Sequence, residues 1–314
     1  MKVLISAPYM QPAIDRFRPI FAERGIELLV PPVSERLEEQ DLLRWVGDID
    51  GAICGDDRFT ERVLRAAPRL RVIAKWGTGI DSIDRDACAR LGIALCNTPN
   101  AFSEPVADTV LGYMLCFARK LPWMDRLMRD GSWGKIPSVS LRECTLGIVG
   151  VGNVGGAVAR RAAGFGMRIV GCDPVPPPAE LRDSVGMTMA DLPTLLREAD
   201  FVSINCDLNP SSRHLMSAAA FAQMRPGAVL INTARGPIVD EPALVAALQA
   251  GQIGGAALDV FEDEPLPADS PLRGMDNVLL APHNSNSSPL AWERVHMNTI
   301  RNLLNVLTPD RSEL

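Results

Sequence analysis

The sequence has little with which to hold a metal, a membrane or a nucleic acid. Its 314 residues include three histidines, His214, His283 and His296, and none stands at ligand spacing from a cysteine. A zinc site is therefore not expected, and no metal is assigned. The seven cysteines form no C-x-x-C pair, and Cys96, Cys172 and Cys206 lie in or beside strand-like runs. They read as packed, reduced thiols of a cytoplasmic protein rather than as a disulfide framework. No apolar stretch approaches the roughly 20 residues of a membrane-spanning helix. The opening run from Met1 to Pro8 is too short for a signal peptide and reads as a first strand. A formal net charge of −6 supplies no basic face for nucleic acid or anionic lipid.

What the chain does have is a fingerprint in its middle. Thr145-Leu146-Gly147-Ile148-Val149 reads as a buried strand, and Gly150-Val151-Gly152-Asn153-Val154-Gly155 follows it with G-x-G-x-x-G spacing before a helix. Gly150 permits the tight turn, Gly152 lets a pyrophosphate approach the backbone, and Gly155 lets helix and strand pack closely. Unpaired amides at Asn153, Val154 and Gly155 then meet the anion at the positive end of the helix. Asp173 ends the next strand, Arg168–Cys172, where a carboxylate accepts both ribose hydroxyls of NAD and repels the 2′-phosphate of NADP. NAD is the expected cofactor.

Apolar runs alternate with amphipathic stretches along the whole chain, the pattern of parallel sheets with crossover helices. Val3–Ser6, Ile26–Val30, Gly51–Cys54, Val72–Lys75 and Ala94–Cys96 read as strands of a first set. Strands near Phe201–Asn205, Ala228–Asn232, Gly255–Asp259 and Val278–Ala281 follow the fingerprint. Long helices are expected at Ser103–Arg119, opened by a serine cap, and at about Pro289–Leu307. The fold class is α/β, with two doubly wound, Rossmann-like parallel-sheet domains and a cleft between them. Residues 1–98 with 286–314 make a substrate-binding domain, and residues 99–285 make the NAD-binding domain.

Three successive strands each lead to a candidate catalytic residue: Arg235, Glu264 and His283. The carboxyl ends of parallel strands share one rim, where ligands bind. Arg235 can hold a carboxylate bidentately and polarise a neighbouring carbonyl. His283 suits proton transfer near neutrality, and Glu264 on its other ring nitrogen would fix the tautomer. Singly, each has an ordinary alternative, as a surface arginine, a solvated loop acid before Pro265, or a lone histidine.

These stretches resemble the D-isomer-specific 2-hydroxyacid dehydrogenase family, in particular its phosphoglycerate dehydrogenase-like branch. The resemblance runs through Gly77-Thr78-Gly79-Ile80-Asp81, Asn97-Thr98-Pro99-Asn100-Ala101, Gly150 to Gly155, Asn232-Thr233-Ala234-Arg235-Gly236, Leu258 to Pro265 and Pro282-His283. It implies an NAD-dependent oxidoreductase acting on a small D-2-hydroxy acid or 2-oxo acid of phosphoglycerate, hydroxypyruvate or glyoxylate type. Arg235, Glu264 and His283 are then the catalytic trio. Gly77, Thr78 and Gly79 bind the substrate carboxylate. Thr109, Thr233, Ala234 and Asp259 belong to the nicotinamide side, and Cys206 to the adenine side. Asp259 also reads as a strand-end acid that caps the next loop.

Lys75 stands two residues before Gly77, where it either meets a second anionic group of the substrate or points into water. Trp133 matches an arm that crosses to a partner subunit, so a homodimer is implied, with the tryptophan either anchoring it or covering the partner's site. Two departures from the family pattern are the polar run Asn284-Ser285-Asn286-Ser287-Ser288 after His283, and Cys206-Asp207-Leu208-Asn209, whose Asp207 adds negative charge near the adenine. Ending at Leu314, the chain is expected to lack the regulatory extension of long phosphoglycerate dehydrogenases. The competing readings are an NAD(H)-sensing corepressor-like binding protein and a formate dehydrogenase-like enzyme. The latter branch usually carries glutamine where Glu264 stands.

Overall fold

The computed structural model describes residues 1–309 and divides into two compact units, residues 1–102 with the chain from 288 onward, and residues 103–287. In the first unit, β1 (Lys2–Ile5), β2 (Glu27–Leu29), β3 (Gly51–Cys54), β4 (Val72–Lys75) and β5 (Ala94–Cys96) form a parallel sheet in the order β2-β1-β3-β4-β5. That is the flavodoxin-like doubly wound order, in which the connections reverse direction between β1 and β3. β3 and β4 are buried along their full length, as expected of strands covered by helices on both faces. The helix Pro289–Leu307 packs on β3 and β4 through Val295, Thr299, Ile300, Leu303, Leu304 and Leu307. Those positions recur every three or four residues, the spacing of one helical face. Ser288 caps this helix, its hydroxyl accepting the Ala291 amide at 3.4 Å.

In the second unit, β6 (Thr145–Val149), β7 (Arg168–Cys172), β8 (Met187–Met189), β9 (Phe201–Ile204), β10 (Val229–Asn232), β11 (Gly255–Leu258) and β12 (Val278–Leu280) form a seven-stranded parallel sheet ordered β12-β11-β10-β9-β6-β7-β8. The chain leaves β6 on one side toward β7 and later returns on its other side as β9, which makes the gap beside β6 the switch point where ligands bind. Two clusters of buried side chains cover the sheet's faces. One centres on Leu230, Phe221 and Leu244, the other on Ile148, Ile231, Met114 and Val158. The helix Ser103–Arg119 contributes Ala107, Val110, Leu111, Met114 and Phe117 to the second cluster. It packs on the helix Asn153–Gly164 that follows the glycine turn.

Most strand bounds match the sequence pattern to within a residue. Two features differ from the sequence reading. Ser103 is the first helical residue rather than a cap outside the helix. β8 (Met187–Met189) is not read from the sequence because it is an edge strand of only three residues with Thr188 exposed, and its flanking helices, Ala179–Val185 and Leu192–Glu198, are only seven residues each, about two turns, too short for a long periodic pattern.

Candidate active site

The glycine turn begins where β6 ends. Gly150 has φ +88°, a left-handed conformation that glycine adopts without penalty. A Cβ on Gly150 would sit 2.5 Å from the Cys206 amide nitrogen, and one on Gly155 would sit 2.1 Å from the Gly150 carbonyl oxygen. Both contacts are impossible for a side chain. A Cβ on Gly152, by contrast, would meet nothing within 4 Å, so its face is open to an approaching group. Gly152 precedes the helix Asn153–Gly164 without any capping side chain, leaving the first amides to a ligand.

Asp173 follows β7, and its carboxylate accepts the Val151 amide at 2.7 Å and the Val175 amide at 2.8 Å. One lone pair on each oxygen is thereby used and one remains, enough for a ribose diol. Cys206 follows β9 beside Gly150, and burial pushes its thiol up to about 11, so it packs rather than reacts. Asp207 is exposed, and its carbonyl accepts the Ser212 hydroxyl at 2.6 Å. The Asn209 side chain organises the same turn by accepting the Ser211 amide at 2.9 Å. The open glycine, the cradle closed to any Cβ and the acid at the end of β7 together fit a dinucleotide.

Register then brings the other candidates to one edge. Asn232 pairs with Leu258, and Leu258 pairs with Leu280, so β10, β11 and β12 end side by side. Arg235 lies three residues past the first end, Glu264 six past the second, and His283 three past the third. Gly236 lets the arginine turn lie against the segment that carries the glutamate, since a Cβ there would fall 1.8 Å from the Phe261 carbonyl oxygen. Glu264 Oε1 accepts the Phe261 amide at 3.0 Å, and Oε2 stands 2.9 Å from His283 Nδ1. Both side chains retain about 30% exposure, which leaves the imidazole reachable by a small molecule.

Asp259 is fully buried and accepts the Asn284 and Ser285 amides at 2.7 and 2.8 Å, one on each carboxylate oxygen. Its carbonyl accepts the His283 amide at 2.8 Å. The loop-capping reading is therefore what this residue does in the fold, and it explains part of the polar run after His283. Asn284 and Ser285 are held through their amides, and Ser288 opens the following helix. Thr233 is buried with a hydroxyl oxygen that lacks a protein partner, the kind of group a bound ligand satisfies. Ala234 donates its amide to Asn232 Oδ1 at 3.1 Å. The Thr109 hydroxyl donates to the Pro105 carbonyl at 3.1 Å within its own helix.

In the first unit, Gly77 has φ +121°. Its turn is tied to the strand-end segment after β5 by Thr98 N to Gly77 O at 2.9 Å and by the Thr78 hydroxyl to Thr98 O at 3.1 Å. Gly79 completes the turn. Lys75 does not point into water. Its side chain is about 95% buried, its ammonium lies 3.0 Å from Asp56 Oδ1, and it donates to the Trp76 carbonyl at 3.2 Å.

Three structural contributors gave no clear signal as functional residues. Asn232 clamps the arginine turn, since its Nδ2 donates to the Arg235 carbonyl at 2.9 Å; an asparagine at a strand end, four residues before Gly236, is the available cue. Gly236 permits the close approach just described. His214 stands 2.6 Å from Glu262 Oε1, bracing the segment before Glu264. Among the described residues, no group of three or more His, Cys, Asp or Glu side chains is placed to hold a metal ion.

Comparison with known proteins agrees with this geometry. Residues 111–285 match the family described as D-isomer specific 2-hydroxyacid dehydrogenase, NAD binding domain. The chain is 35% identical over 318 residues to a D-3-phosphoglycerate dehydrogenase of Methanocaldococcus jannaschii, an alignment covering 100% of this chain and 59% of that protein. It is 39% identical over 280 residues to a glyoxylate reductase of Thermofilum pendens, covering 85% of this chain and 81% of that one. The crystal structure of an Aquifex aeolicus D-lactate dehydrogenase, complexed with NAD and lactic acid, superposes with a TM-score of 0.89 at 26% identity, covering 99% and 96% of the two chains. The chain spans little more than half the length of the curated phosphoglycerate dehydrogenases it matches. With its glycine cradle, its acid after β7 and its sequence match in agreement, the chain belongs to the D-isomer-specific 2-hydroxyacid dehydrogenase family, and its second unit is an NAD-binding domain of that family.

Proposed function

We propose that this protein oxidises a small D-2-hydroxy acid, or reduces the corresponding 2-oxo acid, with Arg235, Glu264 and His283 as its catalytic residues. The observation that carries this reading is the 2.9 Å contact between His283 Nδ1 and Glu264 Oε2 at the rim that also bears the glycine turn. NAD, when bound, accepts the hydride in oxidation, and NADH donates it in reduction. Gly150, Gly152, Asn153, Val154 and Gly155 are assigned to its pyrophosphate, Asp173 to its ribose, and Cys206 to the adenine side. Thr109, Thr233, Ala234 and Asp259 are assigned to the nicotinamide side, Asp259 by holding the loop that bears His283.

In oxidation His283 takes the hydroxyl proton at Nε2 while Glu264 holds Nδ1 and stabilises the imidazolium. In reduction the imidazolium returns that proton to the new hydroxyl. The Arg235 guanidinium holds the substrate and polarises its carbonyl oxygen. In the first unit, the Gly77-Thr78-Gly79 turn is assigned to the substrate carboxylate through its backbone.

We read the protein as a cytoplasmic homodimer with no nucleic-acid partner. Support comes from the unpaired cysteines, the net charge of −6 and Trp133, which is 91% exposed. Among the described residues no helix is long and apolar enough to cross a membrane. The test of the reaction is loss of NADH absorbance with glyoxylate, hydroxypyruvate, pyruvate and 3-phosphohydroxypyruvate. Turnover of at least one is expected. NADH binding without turnover of any would favour an NAD(H)-sensing binding protein instead.

A further inference from the structure

Glu264 shares its segment with a second acid that meets an imidazole. Two residues earlier, Glu262 Oε1 stands 2.6 Å from His214 Nε2. His214 lies in the loop after β9 at φ 50°, a left-handed conformation that costs an ordinary residue roughly 1–2 kcal/mol. Such a residue persists where its surroundings over-determine it. Its backbone supplies the first part of that restraint. The His214 amide donates to the Pro237 carbonyl at 2.9 Å, two residues past Arg235. Met216 and Val239 continue the contact as a parallel bridge, in which the Met216 amide donates to the Ile238 carbonyl at 3.1 Å and the Asp240 amide to the Met216 carbonyl at 3.0 Å. The backbone of His214 thus belongs with the arginine turn, while its ring reaches the segment that carries the glutamate.

That segment needs holding. Glu262, Asp263 and Glu264 are consecutive acids, and the Glu262 amide donates to a fourth, Glu241 Oε2, at 3.3 Å. Burial, with Glu262 and Asp263 nearby, keeps the Glu241 carboxyl above its usual range. Like charges crowded on one short stretch repel one another, and a hydrogen bond from an imidazole to Glu262 opposes that repulsion.

We infer that His214 is a positioning residue for the reaction: its ring clamps Glu262 to the arginine turn, and the clamped segment holds Glu264 against His283 Nδ1. The inference rests on the assignment of Arg235, Glu264 and His283 to catalysis. Alanine at 214 removes the ring and keeps the backbone bond to Pro237, so it frees the glutamate segment and leaves the arginine turn in place. Glutamine at 214 keeps a neutral donor near the place of Nε2.

Two readouts on wild type, His214→Ala and His214→Gln test this. The first is NADH-dependent reduction of the best oxo acid, with folded sites counted by NADH binding. In His214→Ala, kcat should fall about tenfold or more, the scale of a slightly misplaced catalytic group, while KM stays within a few-fold. His214→Gln should recover most of that loss. The second readout needs no turnover. The chain's three histidines give three Cε1 proton signals, assignable by single substitutions, and pH titration follows each. A freed Glu264 stabilises the His283 imidazolium less, so the His283 midpoint should fall in His214→Ala by about half a unit to one unit, part of what an adjacent opposite charge supplies. In His214→Gln it should stay near wild type. Mere loss of positive charge at 214 would instead raise that midpoint in both variants. The proposal is overturned by a kcat unmoved in His214→Ala, by a midpoint that does not fall there, or by one lowered equally in His214→Gln. Should His214→Ala not fold, Glu262→Ala read against Glu262→Gln breaks the same link and is judged in the same way. If no oxo acid is reduced, the dehydrogenase reading fails, and the His283 midpoint still decides whether His214 positions the pair.

Discussion

His283 occupies the left-handed region at φ 50°, which costs an ordinary residue roughly 1–2 kcal/mol. The loop that holds it there is tied by two amide hydrogen bonds to the buried Asp259 carboxylate, each worth about 1.5–3 kcal/mol when the acceptor is charged. The restraint outweighs the strain, so the imidazole is set before any substrate arrives. Glu264 completes the setting through Nδ1. Replacing Glu264 by Gln keeps the shape and removes the charge that stabilises the imidazolium. The limb of the pH–rate profile that belongs to His283 should then move to lower pH, with kcat reduced. An unchanged profile would show that the glutamate does not tune the base. At this scale residue type was legible, because arginine, glutamate and histidine each follow a strand. Asp259 was legible too, as a strand-end acid that caps the next loop. The clamps Asn232 and Gly236 were not, because they act through contacts with the arginine turn that only folding creates.

At the scale of elements, the helix Pro289–Leu307 carries a buried histidine. His296 is 4% exposed, and its Nδ1 accepts the Trp76 indole N–H at 2.9 Å. The Phe17 ring lies 5.6 Å from it, and the Arg16–Glu293 ion pair at 2.9 Å lies beside it. Burial depresses its pKa below the usual 6.5, against the pull of Glu293 and with the push of Arg16. A histidine lowered in the fold binds fewer protons folded than unfolded. Its contribution is therefore intact above about pH 6.5 and is lost as pH falls below that value. The thermal midpoint should drop between pH 7.5 and pH 5.5, both taken as about one unit from the reference value. His296→Asn, which keeps an acceptor near Nδ1, should show a smaller drop by differential scanning fluorimetry. An equal drop in both would assign the effect to other groups. Strands that are buried on both faces read clearly from their apolar runs, as in β3, β4 and β6. The three-residue edge strand β8 did not, because half-exposed residues leave no such run.

For the whole molecule, the glycine fingerprint in mid-chain already implied two α/β units, and the strand orders β2-β1-β3-β4-β5 and β12-β11-β10-β9-β6-β7-β8 give each its own switch point. Order in a sheet depends on which strand edges pair in space, which a linear pattern does not carry. The exposed Trp133 belongs to this scale too. If it anchors a second copy, Trp133→Ala should weaken self-association by about 2 kcal/mol, the loss typical of a buried interface tryptophan. Sedimentation equilibrium reads this directly. A wild-type monomer, or a variant dimer of undiminished strength, would remove the tryptophan from any such role.

The reaction itself turns on a proton moved by one imidazole. NADH-dependent reduction of the best oxo acid, compared between wild type and His283→Ala with coenzyme binding followed by fluorescence, probes that step most directly. Turnover should fall at least about a hundredfold, the scale of a positioned acid–base group, while NADH affinity stays within a few-fold. Retention of near-normal turnover by the alanine variant would contradict the account.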